Sequence, residues 1–187
     1  MGGGYGEYIT PSDAECEKIK KRFEIGAEPF FAYTGNIEPR KNIVTILKAF
    51  EIACDRLDNA VSLVLAGKLG WRTQPIIEAI EHNKYKDRIY LPGYISEDEK
   101  KYLMHDACAF VFPSNYEGFG IPIVEAMSCG GVVITADNSS LKEVGGTTAF
   151  YVQKTDEVVQ LADRMVQCFN LSDAERKKLM ADGKSWA

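Results

Sequence analysis

The 187-residue sequence has no run of about 18 uncharged apolar residues, so no segment of it reads as a membrane-spanning helix. It has only two histidines, His82 and His105, and neither stands at metal-ligand spacing. Its five cysteines (Cys16, Cys54, Cys108, Cys129 and Cys168) form no CxxC pair, and their number is odd. That pattern excludes a disulfide framework or a zinc ribbon and fits reduced thiols, mostly in a core. A basic excess is also missing: 22 Lys and Arg stand against 27 Asp and Glu, a net charge of -5. The chain therefore lacks the broad positive footprint of a nucleic-acid binder, while a local basic site for one anionic ligand stays open. The start, MGGGYGEYITPSD, has no basic n-region and no apolar h-region, so it does not read as a signal peptide. Residues 1–10 read as a flexible leader, and 11–187 as one domain. There is no internal repeat and no GxSxG, HExxH or EF-hand loop. Two near-misses close two further classes. The stretch 118–123 starts like GxGxxG but ends on Ile123 and follows the fourth strand, not the first. Gly183-Lys184-Ser185 resembles the end of a phosphate-binding loop, but Lys178 stands where the upstream glycine is needed. With 45% apolar and 26% charged residues, what remains is a soluble globular mix able to form its own core.

A regular rhythm fills the chain. Residues 11–25 read as a helix, with Ser12 and Glu15 as a capping box. Short apolar runs follow at 30–35, 61–67, 88–93, 107–113, 131–136 and 149–152. Between them lie helical patterns at 41–57, 73–83, 96–107 (with Ser96 and Glu99 as a second capping box) and 122–130. An amphipathic helix at 156–170 and a helical tail complete the chain. The strands are apolar along their length rather than at every second residue. That is the pattern of a parallel sheet covered by helices on both faces. The expected fold is α/β: a single doubly wound, Rossmann-like parallel β-sheet domain. Ligands in such folds lie outside the carboxyl ends of the strands, so the loops after the strands carry the search.

After the first strand, Arg40 and Lys41 stand at a helix start, where cations oppose the helix dipole. A diphosphate meeting both side chains and the helix N–H groups would reverse that balance. The plain alternative is a solvated charge pair after a turn. After the fourth strand, PSNYEGFGIPIVEAMSCG (113–130) carries Glu117, two glycines flanking Phe119, and Glu125. Glycines let backbone approach a ligand closely. Glu125, expected in the first helical turn, favours the dipole and is suited to accept hydrogen bonds from a ribose diol. The plain alternative makes Glu117 a turn acid and Glu125 a helix N-terminal acid. After the third strand, Tyr94 and Ile95 either flank a flat ring or simply pack. After the fifth, Ser139 or Ser140 is expected to cap a short helix with Glu143 in its first turn.

Together PRKN (39–42), LAG (65–67), LPGYIS (91–96), the 113–130 stretch and VVITADNSSLKEVGG (132–146) resemble glycosyltransferase family 4. The similarity is to the C-terminal, donor-binding half of a GT-B fold enzyme and covers about residues 28–187. The resemblance implies a retaining transfer of a hexosyl group from a nucleotide diphospho-sugar, GDP- or UDP-linked, to an acceptor hydroxyl. Carried over by motif position, Lys41 holds the diphosphate and Glu117 contacts the donor sugar, the two expected catalytic residues. The backbone of Gly118, Phe119 and Gly120 touches sugar and phosphate, Ile121 lies by the nucleotide, and Glu125 accepts from the ribose hydroxyls. Backbone near Gly93 and Tyr94 meets the base. No metal and no resident cofactor are implied. One departure stands out: Asn36 occupies the position where many members carry an arginine, with Arg40 as the available substitute. A GT-B enzyme has two such halves, so the resemblance implies a missing N-terminal domain that brings the acceptor, a glycan or lipid-linked sugar. It implies a cytoplasmic setting, at the membrane surface through that missing half, and polysaccharide biosynthesis as the pathway. The isolated domain is expected to be inactive. The alternative reading is a non-catalytic sugar-nucleotide-binding or scaffolding module derived from such an enzyme.

Overall fold

The structure, a computed structural model, describes residues 12–115, 120–154 and 156–187. Its elements run α1 (Asp13–Phe23), β1 (Phe30–Thr34), α2 (Ile43–Arg56), β2 (Ser62–Ala66), α3 (Gln74–Glu81), β3 (Ile89–Gly93), α4 (Glu97–Asp106) and β4 (Phe110–Phe112). They continue with α5 (Ile121–Ser128), β5 (Val133–Ala136), α6 (Ser139–Gly145), β6 (Phe150–Val152), α7 (Val158–Phe169) and α8 (Asp173–Trp186). Three helices begin on a reciprocal cap: the serine at 12, 96 or 172 accepts from the backbone three residues on, and the glutamate there reaches back. The third box, Ser172 with Glu175, is a start signal that the sequence analysis passed over. The expected leader, residues 1–10, lies outside the described residues.

The six strands form one parallel sheet in the order β3-β2-β1-β4-β5-β6. The expected doubly wound fold is what the chain adopts. The helices divide between the two faces. On one, α2 packs against α3 and α7. On the other, α5 packs against α4, α6 and α8. Strand β1 shows why the run had to be apolar throughout: Phe31 and Tyr33 enter the core under α2, while Phe30 and Ala32 enter a second cluster with Phe23 of α1 and with Tyr102 and Leu103 of α4. The two edge strands are the exceptions: only Ile89 of the five residues of β3 and only Val152 of the three of β6 are buried. On the α8 side, the Arg176 guanidinium donates to the carbonyls of Ala107, Cys108 and Cys168, tying α8 to the approach to β4 and to the end of α7.

Three expectations are corrected. Residues Pro39–Lys41 form a separate 3-10 turn, closed by Asn42 at φ 57°, and α2 begins only at Ile43. Arg40 and Lys41 thus lie on a turn abutting α2 rather than in its first turn. Helix α5 begins at Ile121, one residue before Pro122, because Gly120 takes up the left-handed cap position at φ 63°. Glu125 is therefore in the second turn. In α6 the cap is Asn138, whose side chain accepts from Leu141 N–H, so neither serine caps it and Glu143 too falls past the first turn.

Candidate functional site

The strand order reverses between β1 and β4. Their onward connections leave for opposite faces, α2 on one and α5 on the other, which opens a crevice outside the carboxyl ends of the two strands. The floor of this crevice is held by backbone. Gly35 N–H donates to Ala66 O at 3.0 Å, and Gly67 N–H donates to Gly93 O at 2.8 Å, so the ends of β1, β2 and β3 are laced in sequence. The connections continue the lacing: Ile37 N–H donates to Lys68 O, and Gly70 N–H to Ile37 O, both at 2.9 Å. Gly67 has to be glycine here. It sits at φ 142°, and a Cβ would stand 1.9 Å from the Gly35 carbonyl oxygen.

Above this floor lies a cleft of about 410 Å³, lined by Thr34, Gly35, Asn36, Ala66, Gly67, Lys68, Tyr94, Ile95, Lys100, Pro122 and Glu125. Its wall comes from four connections, and it offers backbone at one side and charge at the other. Tyr94 is 71% exposed, and Lys68 Nζ lies 5.6 Å above its ring. Asn36 is exposed at the rim, and its carbonyl accepts from the Tyr33 hydroxyl at 2.8 Å.

Lys41 stands at the neighbouring end of the same crevice. It is only 8% exposed, and its Nζ lies 5.2 Å over the ring of Phe112, the last residue of β4. Burying an ammonium is costly unless its surroundings meet it, and a face-on aromatic ring recovers part of that cost. The turn that carries Lys41 is tied across the switch point by an asparagine network that sequence reasoning missed. Asn42 donates to Pro113 O at 2.6 Å and accepts from Asn115 Nδ2 at 3.1 Å, while Asn138 donates to Ser114 O at 3.2 Å. These bonds lock the loops after β1, β4 and β5 to one another. The one signal in the sequence was Asn42, a residue type that tolerates the left-handed conformation, directly after a cation pair. Arg40 is exposed, and its guanidinium is engaged by Glu38.

Glu125 is half-buried on the wall that α5 presents. Its Oε1 lies 3.2 Å from Lys100 Nζ, and Lys100 is also 2.9 Å from Glu97 Oε2. Burial works to lower the pKa of Lys100, but hydrogen bonds to Glu97 and Glu125 outweigh it and hold the ammonium above the ordinary lysine range. Among the described residues, no group of three or more His, Cys, Asp and Glu could hold a metal ion. No helix of the described residues is long and apolar enough to cross a membrane.

Of the residues singled out in the sequence, Asn36, Tyr94 and Glu125 line one cleft, and Gly93 supplies an acceptor to its floor. Gly120 caps α5 beside that cleft, and Ile121, 49% exposed, opens the helix next to Pro122 of the lining. Lys41 lies at the end of β4 rather than in the cleft lining. Glu117, Gly118 and Phe119 lie outside the described residues.

The comparisons with known proteins converge. The family described as glycosyl transferases, group 1, matches residues 15–186. The O-antigen chain mannosyltransferase B of Escherichia coli is 35% identical over 150 residues, covering 80% of this chain and 39% of that protein. The O-antigen chain mannosyltransferase RfbU of Salmonella typhimurium is 34% identical over 139 residues, covering 70% of this chain and 36% of that protein. The chain thus spans well under half the length of either relative. Among solved structures, a glycosyltransferase from Rickettsia africae superposes with a TM-score of 0.83 at 17% identity, over 94% of this chain and 47% of that one.

Proposed function

The chain belongs to the group 1 glycosyl transferases, and from that membership we propose that it is the donor-binding, C-terminal half of a retaining hexosyltransferase of the family 4 type. The donor is a nucleotide diphospho-sugar, GDP- or UDP-linked. The names of the two mannosyltransferase relatives favour a mannosyl group and a surface-polysaccharide acceptor. The other half of the enzyme brings the acceptor and completes the active site, so this half alone transfers little or nothing. A cytoplasmic site of action, at the membrane where a lipid-linked acceptor is presented, belongs to the same proposal.

The observation that carries this reading is that Glu125 and Tyr94 line the same backbone-floored cleft at the switch point. A nucleoside fits that chemistry. The base lies by Tyr94 and the backbone at Gly93, the ribose diol donates to Glu125, and Ile121 flanks the nucleotide. The diphosphate then runs towards Lys41 and the amino-terminal end of α5 beyond Gly120, where the positive end of the helix dipole favours an anion. Negative charge grows on the departing diphosphate during transfer. Lys41, with Arg40 in support, and the helix dipole are already in place to stabilise that charge, which is where electrostatic preorganisation lowers a barrier. Glu117 and the backbone of Gly118 and Phe119 are assigned to the donor sugar on motif position alone. Asn36, at the rim, contributes a neutral contact where a cation is more usual.

One observation favours the second reading, a non-catalytic sugar-nucleotide-binding or scaffolding module: Arg40 is already engaged by Glu38, which leaves the diphosphate fewer partners. Transfer or hydrolysis of donor by the protein joined to its other half separates the two. The direct test of the site is a panel of UDP, GDP, ADP, dTDP and CDP read by thermal unfolding. A ligand at about 100 times its dissociation constant adds about 2.7 kcal/mol, a shift of several degrees. Glu125→Ala is expected to lose most of the shift given by the best ligand. An unchanged shift in that variant refutes the ribose assignment.

A further inference from the structure

Lys100 is a charged residue of the cleft lining to which no motif gave a role. It sits in the second turn of α4, a helix whose amino-terminal end is fixed twice over. Ser96 and Glu99 close the capping box there, and Arg22 of α1 ties the same end down, with Nε 3.1 Å from Glu99 Oε1 and an N–H donated to Tyr94 O at 3.1 Å. From this anchored helix the lysine reaches across to α5. Its side chain is 20% exposed and that of Glu125 is 25% exposed, so the pair is substantially withdrawn from water, whereas Glu97, its other partner, is 76% exposed.

Resting on the reading of Glu125 as the ribose-diol acceptor, we propose that Lys100 is a positioning residue that fixes the Glu125 carboxylate in one orientation. The ammonium takes Oε1, which leaves Oε2 of this cleft-lining residue as the acceptor for vicinal hydroxyls. The reason is electrostatic: a half-buried carboxylate without a partner would bear its desolvation alone and would turn to solvent. Glu97 serves Lys100 from the exposed side and is not needed for the orientation of Glu125.

The test separates recognition of the diol from stability. Dissociation constants are measured for the preferred nucleoside diphosphate and for its 2′,3′-dideoxy counterpart, on wild type, Lys100→Met, Lys100→Gln, Lys100→Arg and Glu97→Gln, with the unfolding midpoint of each. Wild type is expected to prefer the ribose form by about tenfold or more, the scale of a hydrogen bond to a charged group. Lys100→Met is expected to reduce that preference to about threefold or less, with affinity for the dideoxy ligand changed by less than about twofold. Lys100→Gln, which keeps a donor without the charge, is expected to lose most of the preference too. Lys100→Arg and Glu97→Gln are expected to keep it. A Lys100→Met or Lys100→Gln protein that melts lower but keeps the full ribose preference overturns the proposal, because the ion pair then only joins α4 to α5. A wild type without ribose preference overturns the assignment of Glu125 itself, and that outcome is visible before any variant is made.

Discussion

Replacing Gly67 by alanine puts the backbone lacing of the cleft floor to its most direct test. The Cβ would arrive 1.9 Å from the Gly35 carbonyl oxygen and 2.7 Å from the carbonyl carbon, both backbone atoms with nowhere to go. The residue also sits at φ 142°, a conformation that L side chains rarely adopt. Strain of that kind costs about 1–2 kcal/mol. Relieving the collision moves β1's connection away from β2's, which weakens the hydrogen bonds from Gly35 to Ala66 and from Gly67 to Gly93, each worth about 1 kcal/mol. With overpacking strain included, the expected loss is on the order of 4 kcal/mol. Gly93 supplies the control. Its φ is also positive, at 75°, but a Cβ there meets nothing within 4 Å. Gly93→Ala is therefore expected to lose only the strain, about 1 kcal/mol. In urea titrations with unchanged m-values, the gap between the two variants should be about 3 kcal/mol, or some 6–12 °C in the melting midpoint of a domain this size. Two variants that agree to within about 1 kcal/mol would refute the close approach of the Gly35 and Gly67 loops.

Three further outcomes are expected. Arg176→Met, which leaves the carbonyls of Ala107, Cys108 and Cys168 without their shared donor, should cost about 2 kcal/mol in urea titrations, and Arg176→Lys should recover only part because one ammonium cannot span three acceptors. Lys41→Met should weaken binding of nucleoside diphosphates by about tenfold while leaving the corresponding nucleosides unchanged, measured by calorimetry; equal losses would remove Lys41 from the diphosphate. Stability should fall above pH 9, because burial pushes the thiols of Cys54 and Cys129 up to about 11 and that of Cys168 up to about 12, while unfolded thiols ionise near 9. Between those values the unfolded chain releases protons that the folded chain keeps, so unfolding gains with rising pH by about 1 kcal/mol per pH unit for each thiol; Cys168→Ala should flatten the slope of urea midpoint against pH, and an unaltered slope would contradict it.

The alternation of short apolar runs and helical patterns carried the fold, because a strand covered on both faces has no polar phase and a helix does. Phe30 to Thr34 illustrate it: all five are buried, and the four apolar ones alternate between two different clusters. What stayed hidden was decided by backbone geometry at single residues. Asn42 at φ 57° and Gly120 at φ 63° each take a left-handed conformation that ends one segment and starts the next. No spacing rule says whether a glycine two residues before a proline is loop or cap, so the onset of α5 was misplaced by one residue, enough to carry Glu125 past the first turn. In the same way the asparagines at 115 and 138 read as ordinary loop polars. Their partners, Asn42 and the carbonyl of Ser114, lie 73 and 24 residues away in the chain, and only the fold brings them within reach.

The displaced start of α5 bears on how the site is held together. A carboxylate in a first turn is supported by the helix's own N–H groups, and that support fades within one turn. Glu125 stands beyond it, so the stabilisation that the sequence ascribed to the dipole has to come from elsewhere. Lys100 is positioned to supply it, and it comes from α4, not from the connection that carries Glu125. The same holds on the other side of the crevice. Lys41 follows β1 but rests on Phe112 at the end of β4, and Asn42 beside it bonds to Pro113. Each candidate group is thus carried by one connection and steadied by another, across the point where the strand order reverses. An acidic chain can hold a local anion site on these terms. The cations that matter are placed by packing against a ring or a paired carboxylate, which a net charge of -5 does not prevent.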